Sequence, residues 1–193
     1  SARNGKNEPT AWKDKRAMFH TDGQTYENTE YVKDFTKAGY AITKFKNITS
    51  TGVAGKDPEK KFPDTDLPLI RLAEVYLTYA EAVLRGGAGG DRATALGYIN
   101  QLRTRAYGNA SGNITNSDLT LDFILDERAR ELYWEGLRRT DLIRYNKFTT
   151  ADYLWSLKGG AASGVAVPDY RNLYPIPQDA LTANENLRQN TGY

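Results

Sequence analysis

The strongest constraint on the fold is the stretch 120–148, where acids, bases and aromatic residues recur at helical spacing. Its apolar positions lie three or four residues apart, which predicts the inward face of a helix: Leu121, Leu125, Ala129 and Leu132. Thr120 or Ser117 can cap the start of this helix. Gly136 is expected to end it, and residues 137–147 then supply a shorter helix. Trp134, inside the predicted helix, is expected in the core.

An earlier pair of helices is predicted upstream of that block. Asp66 can cap the first helix, whose apolar face is predicted from residues at helical spacing: Leu69, Leu72, Tyr76, Ala80 and Val83. The glycine-rich loop 86–90 ends it, and Asp91 can cap the second helix. The buried stripe of the second helix is expected to hold Ala95, Ile99, Leu102 and Ala106. Two helical hairpins in succession indicate a divergent tetratricopeptide-like array.

The rest of the chain is predicted to be irregular. Residues 1–66 show weak periodicity apart from a short extended segment at 40–45, and residues 149–193 are rich in glycine, proline and polar side chains. We therefore expect a loop-rich segment at 1–66, the helical hairpins at 67–148 and an irregular C-terminal segment at 149–193. Together these predict one all-α lobe of tetratricopeptide-like hairpins with long irregular loops.

Composition excludes several classes of function. The chain has no cysteine, which rules out disulfides, thiol catalysis and cysteine-based zinc sites within it. It has no run of about 18 apolar residues that could span a bilayer. Its formal net charge of +2 does not favour nucleic acid, which usually needs a clustered basic face.

Three glutamates four residues apart suggest two different roles for the charged block. Glu127, Glu131 and Glu135 line one side of the predicted helix, and a glycosidase needs a pair of carboxyl groups. Catalytic carboxyl groups usually face each other across a cleft, however, and arginines lie nearby in sequence: Arg128, Arg130, Arg138, Arg139 and Arg144. The spacing therefore favours a structural network of ion pairs, with no catalytic residue in this block.

Other chemical motifs are weak. His20 is the only histidine, and nothing near it resembles the elbow that carries a nucleophilic serine. Asp57, Asp64 and Asp66 lack the twelve-residue loop ending in glutamate that binds calcium. The loop 86–90 lacks the Lys-Ser or Lys-Thr of a phosphate-binding loop. We therefore predict no enzyme activity, no cofactor and no metal.

Aromatic side chains in loop-like surroundings are the best candidates for a binding surface. Trp12, Tyr26 and Tyr31 lie among polar residues. An aromatic ring can stack on the C–H face of a sugar while polar side chains bind its hydroxyl groups. The alternative is that these rings pin long loops to the core. We predict a carbohydrate-binding role for the three residues.

Four motifs in order resemble the C-terminal region of the SusD/RagB family. They are LIRLAEVYLTYAEA at 69–82, INQLR at 99–103, ILDERARELYWEGLRRTDLIR at 124–144 and YPIPQDALTANENLRQNTGY at 174–193. The resemblance covers nearly the whole chain. The order and spacing of the four motifs identify a family far more specifically than any one motif does.

The resemblance implies a fold and a function. It implies a fragment of a SusD-like α/α superhelix and a surface-exposed, non-catalytic lipoprotein of the outer membrane of Bacteroidetes. It also implies binding of a polysaccharide or oligosaccharide together with a SusC-like TonB-dependent transporter. Members of the family are more than twice this long, so we expect an upstream N-terminal part that carries the lipidated cysteine.

Two other functions stay open at this stage. The first is a helical-repeat scaffold that docks the transporter, with ligand recognition in the upstream part. The second, less favoured, is a glycosidase that uses two of the glutamates.

Overall fold

The computed structural model describes residues 11–26, 34, 36–49, 51–57, 59 and 61–193. Over these residues the protein is mainly helical, as predicted, with long loops between the helices. Five α-helices are present in the described part: α1 Leu72–Leu84, α2 Arg92–Tyr107, α3 Leu121–Leu132, α4 Arg138–Arg144 and α5 Gln178–Ala183. Two short strands, β1 Phe19–His20 and β2 Ala41–Ile42, pair antiparallel.

The chain divides into two compact units. The first ends at Glu135 and holds β1, β2 and the helices α1 to α3. The second, Gly136–Tyr193, holds α4 and α5. None of the helices in the described part of the chain is long and apolar enough to cross a bilayer.

Helix α1 begins later than predicted, and its predicted face is only partly correct, because Ala80 is buried and Tyr76 and Val83 are half-buried. The N-cap residue is Arg71, whose backbone is extended, so Asp66 is not the cap of this helix. Leu69 is 88% exposed and Leu72 is 63% exposed. The buried face is Ala73, Leu77, Ala80 and Glu81. Helix α1 carries apolar side chains on several of its sides, so periodicity alone did not identify the side that packs inward.

Helix α2 matches its prediction closely. The Asp91 side chain accepts a hydrogen bond from the backbone N–H of Thr94 at 2.8 Å, which confirms the cap. The predicted stripe is buried in full: Ala95, Ile99, Leu102 and Ala106. Gly108 ends the helix with φ of +75°, a left-handed conformation that favours glycine. Helix α2 packs against α1, and together with α3 they enclose Leu77, Ile99 and Ile124.

Helix α3 starts as predicted but ends earlier. Thr120 is the cap, because its hydroxyl accepts a hydrogen bond from the N–H of Phe123 at 3.1 Å. The helix stops at Leu132, before Gly136. The expectation that Trp134 lies in the core is wrong, since its φ is +62° and its side chain is 68% exposed. Because the helix has already ended, helical spacing no longer sets the direction of this side chain.

The second unit is held together by side chains that bind the backbone. Gln189 accepts from the N–H of Ile176 at 2.8 Å and donates to its carbonyl at 2.9 Å. The Tyr193 hydroxyl donates to the carbonyl of Leu173 at 2.9 Å, and its ring meets that of Tyr170 at 4.9 Å. These contacts hold the C-terminal tail in place within the second unit.

Candidate functional site: an aromatic cluster beside a buried ion network

The carboxylate of Glu127 lies at the centre of a buried ion network. The residue is fully buried on α3. It accepts hydrogen bonds from Arg16 at 2.8 Å, Arg103 at 2.7 Å and Arg130 at 2.9 Å. Arg103 reaches it from α2, and Arg16 reaches it from the loop before β1. Three guanidinium groups from three parts of the chain therefore meet on one carboxylate.

Glu131 on α3 and Glu135, three residues after the end of α3, extend the network. Glu131 pairs with Arg71 and Arg105, both at 2.6 Å, and with Arg16 at 3.1 Å. Glu135 pairs with Arg71 at 2.8 Å and with Lys44. Both glutamate side chains are at most 4% exposed. The network thus joins α2, α3, two loops and Arg71, the residue that precedes α1.

Arg16 enters the network in a fixed orientation. Its Nε and Nη2 atoms donate to the Asp14 carboxylate, at 2.9 Å and 2.7 Å for the shortest contacts. The Tyr133 hydroxyl donates to the carbonyl of Arg16 at 2.6 Å. Burial lowers the pKa of Arg16, but the hydrogen bond to Asp14 and the charge of Glu127 outweigh it and raise the pKa. The guanidinium therefore stays charged.

The carboxyl groups of Glu131 and Glu135 are ionised. Burial raises the pKa of Glu131, but hydrogen bonds from Arg105 and Arg71 more than offset it and lower the pKa. The pKa of Glu135 is lowered in the same way by Arg71 and Lys44. A general acid needs a raised pKa, so these two groups are poorly suited to donate a proton.

The prediction that the three glutamates form ion pairs is confirmed, although most of their partners were not anticipated. Arg130 was predicted from its nearness in sequence. The other partners come from elsewhere in the chain: Arg16, Lys44, Arg71, Arg103 and Arg105. Asp141 pairs with Arg144, three residues away on α4, at 2.8 Å. Glu127, Glu131 and Glu135 do not form the arrangement of carboxyl groups across a cleft that a glycosidase needs.

A polar cavity of about 270 Å³ opens beside the network. Its wall contains Glu131, Tyr133 and five long cationic side chains. The full lining is Lys15, Arg16, Met18, Lys44, Arg71, Arg105, Ala106, Glu131 and Tyr133. The Lys44 ammonium lies 4.6 Å from the centre of the Tyr133 ring. The cavity is therefore polar and basic, with one aromatic wall.

The predicted loop aromatics Trp12 and Tyr26 lie in one group of rings, which we call the aromatic cluster: Trp12, Phe19, Tyr26 and Tyr40. Trp12 meets Phe19 edge-on at 5.1 Å and Tyr40 at 6.1 Å. Tyr26 meets Tyr40 at 5.6 Å. Trp12 is half-buried, whereas Tyr26 is 56% exposed. Tyr31, the third predicted binding residue, lies outside the described residues.

The β1–β2 pair positions the aromatic cluster. Phe19 is the register partner of Ile42, and Thr43 donates its N–H to the carbonyl of Met18 at 2.9 Å. The Gln24 side chain accepts the N–H of Ala41 at 2.7 Å. The Phe19 ring meets that of Tyr133 at 6.1 Å, which links the cluster to the polar cavity.

Sequence reasoning missed the ring that joins the two predicted residues. Tyr40 lies between Trp12 and Tyr26, but it was noted only as the start of a short extended segment. The alternation of residues 40–45 was the one signal available, since it predicts a strand that could bring Tyr40 beside another loop. The pairing of β2 with β1 confirms that segment in part.

Two of the three aspartates considered for calcium bind backbone groups. Asp57 accepts hydrogen bonds from the N–H groups of Glu59, Lys61 and Phe62 at 2.7–2.9 Å. Asp64 accepts one from Lys56 at 2.8 Å. Within the described part of the chain, no three residues of the types histidine, cysteine, aspartate and glutamate form a group suited to a metal ion.

Comparison with known proteins assigns the chain to a family. A family model described as the SusD family matches residues 6–193. The chain belongs to the SusD family. The resemblance seen in the four sequence motifs is thereby confirmed.

Two curated relatives show how much of a family member this chain represents. The starch-binding protein SusD of Bacteroides thetaiotaomicron is 44% identical over 183 residues, which are 93% of this chain and 31% of that protein. A SusD-like protein of Bacteroides ovatus is 31% identical over 141 residues, or 69% of this chain and 24% of that protein. The chain therefore spans about a third of the length of the first of these relatives and about a quarter of the second.

Solved structures of the SusD superfamily share the fold. A crystal structure of a superfamily protein from Bacteroides vulgatus matches with a TM-score of 0.53 and 32% identity, over 74% of this chain and 31% of that one. One from Bacteroides thetaiotaomicron matches with a TM-score of 0.52 and 31% identity, over 68% of this chain and 29% of that one.

Proposed function

We propose that this chain is part of a non-catalytic nutrient-binding protein of the bacterial outer-membrane surface and that its ligand is a glycan. The observation that carries the proposal is the 44% identity to a starch-binding protein over 93% of this chain. The aromatic cluster supplies side chains of the kind that sugar recognition needs. The protein would be lipid-anchored through an upstream cysteine and would act with a SusC-like TonB-dependent transporter.

The aromatic cluster offers a stacking surface with polar groups beside it. Tyr26 presents an exposed ring, and Trp12 holds the Tyr40 ring behind it. The Gln24 amide is held beside β2, where its NH₂ group can donate to a sugar hydroxyl. Exposed aromatic rings next to fixed amides are suited to oligosaccharides because they match the C–H face and the hydroxyl edge of each sugar. Tyr31 is proposed as a third ring of this surface.

The absence of catalysis is supported by the ion network. Each of the three glutamates in the charged block faces at least two cations. A carboxylate engaged in this way has its lone pairs occupied by hydrogen bonds. It is therefore better suited to fixing helices than to transferring protons.

We also propose a tetratricopeptide-like character for the helices, as part of a SusD-like α/α superhelix. Helices α1 and α2 contact each other and are joined by the short glycine-rich loop. Their connection resembles one unit of a helical-repeat array. Such arrays bind partners along their surface, which is consistent with docking of a transporter.

The half-buried position of Trp12 favours a second candidate function. A ring that packs against Phe19 and Tyr40 can serve to pin a loop. In that case this chain is a helical scaffold for docking the transporter, and the ligand binds to the upstream N-terminal part of the same protein.

The first test is electrophoresis of this chain in native gels cast with a panel of soluble polysaccharides. At least one glycan should retard the chain, and Tyr26→Ala and Trp12→Ala should each weaken the retardation, by about tenfold in affinity for a stacked ring. Trp134→Ala is the matched control, because Trp134 is exposed and lies outside the aromatic cluster. Its retardation should equal that of the wild type.

Two results would count against glycan binding by this surface. Equal loss in the Trp134→Ala control would show a non-specific effect of removing an aromatic ring. No retardation by any glycan would favour the scaffold function, which predicts that the chain co-purifies with a TonB-dependent transporter.

A further inference from the structure

The polar cavity beside the ion network is lined, among the described residues, by five cations and a single carboxylate, that of Glu131. All of its lining residues lie between Lys15 and Tyr133, so the cavity belongs to the first compact unit. An excess of like charges around a partly buried space is unfavourable unless an opposite charge neutralises it. The lining therefore has the electrostatic character of a site for an anion.

Three of the five cations are already engaged by the protein. The Lys44 ammonium donates to the carbonyls of Glu131 at 3.0 Å and Tyr133 at 2.9 Å and to the Glu135 carboxylate. Each guanidinium nitrogen of Arg71 donates to Glu131 or Glu135 at 2.6–2.8 Å. Arg16 likewise uses Nε, Nη1 and Nη2 on carboxylates. These three side chains form a fixed positive wall with few donors left for a ligand.

The other two cations, Lys15 and Arg105, keep donors that a ligand could use. Arg105 has a side chain that is 55% exposed and binds Glu131 through Nη2 at 2.6 Å, so Nε and Nη1 have no acceptor among the described residues. Within the same part of the chain, the Lys15 ammonium has neither an ion pair nor a hydrogen bond. The backbone N–H of Lys15 donates to the carbonyl of Ala106 at 2.8 Å, which holds the lysine beside the end of α2. Both cations with free donors therefore lie at the end of this helix.

The charge of the whole network is also unbalanced. Its ion pairs join four carboxylates, those of Asp14, Glu127, Glu131 and Glu135, to six cations. The six cations are Arg16, Lys44, Arg71, Arg103, Arg105 and Arg130. Lys15 adds one more positive charge at the cavity. A bound anion would reduce this excess, and partial burial weakens the screening of its attraction by water and salt.

The size of the cavity and its uncharged walls limit the ligand. The volume of about 270 Å³ lies just below the range of about 300–1,000 Å³ that is typical of pockets for drug-sized molecules. Met18 and the ring of Tyr133 supply an apolar side. The cavity therefore fits one charged group with the few carbon atoms next to it and is too small for an oligosaccharide chain.

We propose that this cavity binds one oxyanion group, a carboxylate, sulfate or phosphate, through the free donors of Lys15 and Arg105. Two sources share this chemistry, namely a small free anion and the acidic substituent of a sugar. A sugar on the aromatic cluster would lie close to the cavity, because the Phe19 ring is 6.1 Å from the ring of Tyr133. The site does not depend on the proposed glycan ligand, since its donors and its charge serve a free anion equally well.

Titration of the full chain with sodium sulfate, sodium phosphate and sodium glucuronate tests the proposal, at an ionic strength held constant with sodium chloride. Amide signals of residues 15–18 and 105–108, followed by NMR of the ¹⁵N-labelled chain, should shift and saturate for at least one of the three anions, with a Kd of about 1 mM or lower. The amide signal of Ile176, in the second unit, should not move. Shifts that fail to saturate with all three anions would overturn the proposal, and so would the absence of any shift.

Two pairs of variants separate the site from the net charge of the chain. Lys15→Met should raise the Kd about fivefold, whereas Lys13→Met removes the same charge from an exposed position outside the lining and should leave the Kd within about twofold. Met18→Glu brings a competing carboxylate to the cavity and should abolish binding, whereas Met18→Gln, of similar shape, should not. Equal effects within either pair would overturn the proposal. The wild-type titration does not depend on whether these variants fold.

Native gels cast with neutral or uronate-bearing polysaccharides identify the source of the anion. If a sugar carries it, a uronate-bearing polysaccharide should retard the chain, and Lys15→Met should weaken the retardation more than Lys13→Met does. Saturable binding of a small anion without retardation by any polysaccharide would support the site, with a free anion as its ligand, and would count against the proposed glycan function alone. Retardation by a neutral polysaccharide without saturable binding of any anion would overturn the site and leave the glycan function standing.

Discussion

The carboxylate of Glu127 illustrates how charge is used at the scale of single residues. It is fully buried and faces Arg16, Arg103 and Arg130. Taking these ions out of water is costly, so a buried ion pair adds little net stability compared with an apolar replacement. Removing one partner, however, leaves the opposite charges buried without compensation. The network therefore makes the fold specific for this arrangement and sensitive to single substitutions.

Replacing the charge of Glu127 should destabilise the first unit strongly. Glu127→Gln keeps the shape of the side chain but leaves three guanidinium groups without their shared anion, so we expect a loss of about 3–5 kcal/mol in the free energy of unfolding. Urea denaturation at neutral pH measures it. Asp126→Asn is the control, because Asp126 is exposed on the same helix and its substitution should change stability by less than about 0.5 kcal/mol. Equal effects of the two variants on the free energy of unfolding would contradict the role of Glu127 as the shared anion.

Acid should unfold the protein through the carboxylates of this network. Hydrogen bonds from Arg105 and Arg71 outweigh the effect of burial, so the pKa of Glu131 in the folded state lies below its ordinary value of 4.5. The unfolded state then binds protons first as the pH falls. The stabilisation is complete above the ordinary value and is lost as the pH drops through the lowered one.

The pH dependence can be measured by urea denaturation at several values between about pH 3 and about pH 7. The wild-type free energy of unfolding should be steady near neutral pH and fall in acid, and Glu131→Gln should reduce the slope of that fall. A wild-type protein as stable at the acid end as at neutral pH would contradict the assignment of Glu131 and Glu135 as ionised partners.

At the scale of secondary structure, α2 shows how local signals and packing agree. Asp91 caps its start, Gly108 ends it, and the helix packs against α1 through its buried stripe. Gly97 lies inside the helix, where an added Cβ would meet nothing within 4 Å. The two glycines of this region thus have opposite roles. Gly108 is required because its φ is positive, whereas Gly97 lowers the stability of the helix.

Alanine at these two glycines should change stability in opposite directions. Gly97→Ala should stabilise the protein by about 0.5–1 kcal/mol because alanine loses less backbone entropy in a helix. Gly108→Ala should destabilise it by about 1 kcal/mol, since φ is +75° there and the new Cβ would lie 2.9 Å from the Lys15 ammonium. Thermal unfolding of both variants measures the difference. The same sign for both would show that backbone conformation does not decide the effect.

At the scale of the whole molecule, contacts between distant parts of the chain organise the first unit. Arg16 binds Glu127 and Glu131, which are 111 and 115 residues away. Lys44 binds the carbonyls of Glu131 at 3.0 Å and Tyr133 at 2.9 Å. These two cations fasten the loops that carry the aromatic cluster to the end of α3. The helices therefore determine where the proposed binding surface lies.

Removing Arg16 should loosen the loop without melting the helices. Arg16→Met leaves the network without its link to residues 12–20, and we expect amide hydrogen exchange in that segment to become about tenfold faster. Exchange in α2 should stay within about threefold of the wild-type rate. The reason is that Glu127 and Glu131 each keep two other arginine partners when Arg16 is removed. Lys13→Met is the control, because Lys13 is exposed in the same loop. Uniform acceleration across both regions would indicate global destabilisation instead.

Helices with local signals could be predicted from the sequence alone. The caps of α2 and α3 and the stripe of α2 could be predicted because a capping side chain and a spacing of three or four residues act within one turn or one face. The end of α3 before Trp134 and the exposed side of α1 could not, since both depend on which neighbours are present. Family membership could also be predicted from the sequence, because four ordered motifs are specific to a family without any knowledge of their contacts.

The partners of the buried charges and the grouping of the aromatic rings depend on how distant parts of the chain fold together. Sequence proximity pointed to the arginines of the charged block, whereas Glu131 is paired with Arg16, Arg71 and Arg105 from other parts of the chain. Trp12 and Tyr26 could each be named as candidates, but their connection through Tyr40 depends on the pairing of β1 with β2. The physical reason is the same in both cases. A charge or a ring selects its partner by distance in space, and helical periodicity carries no information about which loop folds back onto it.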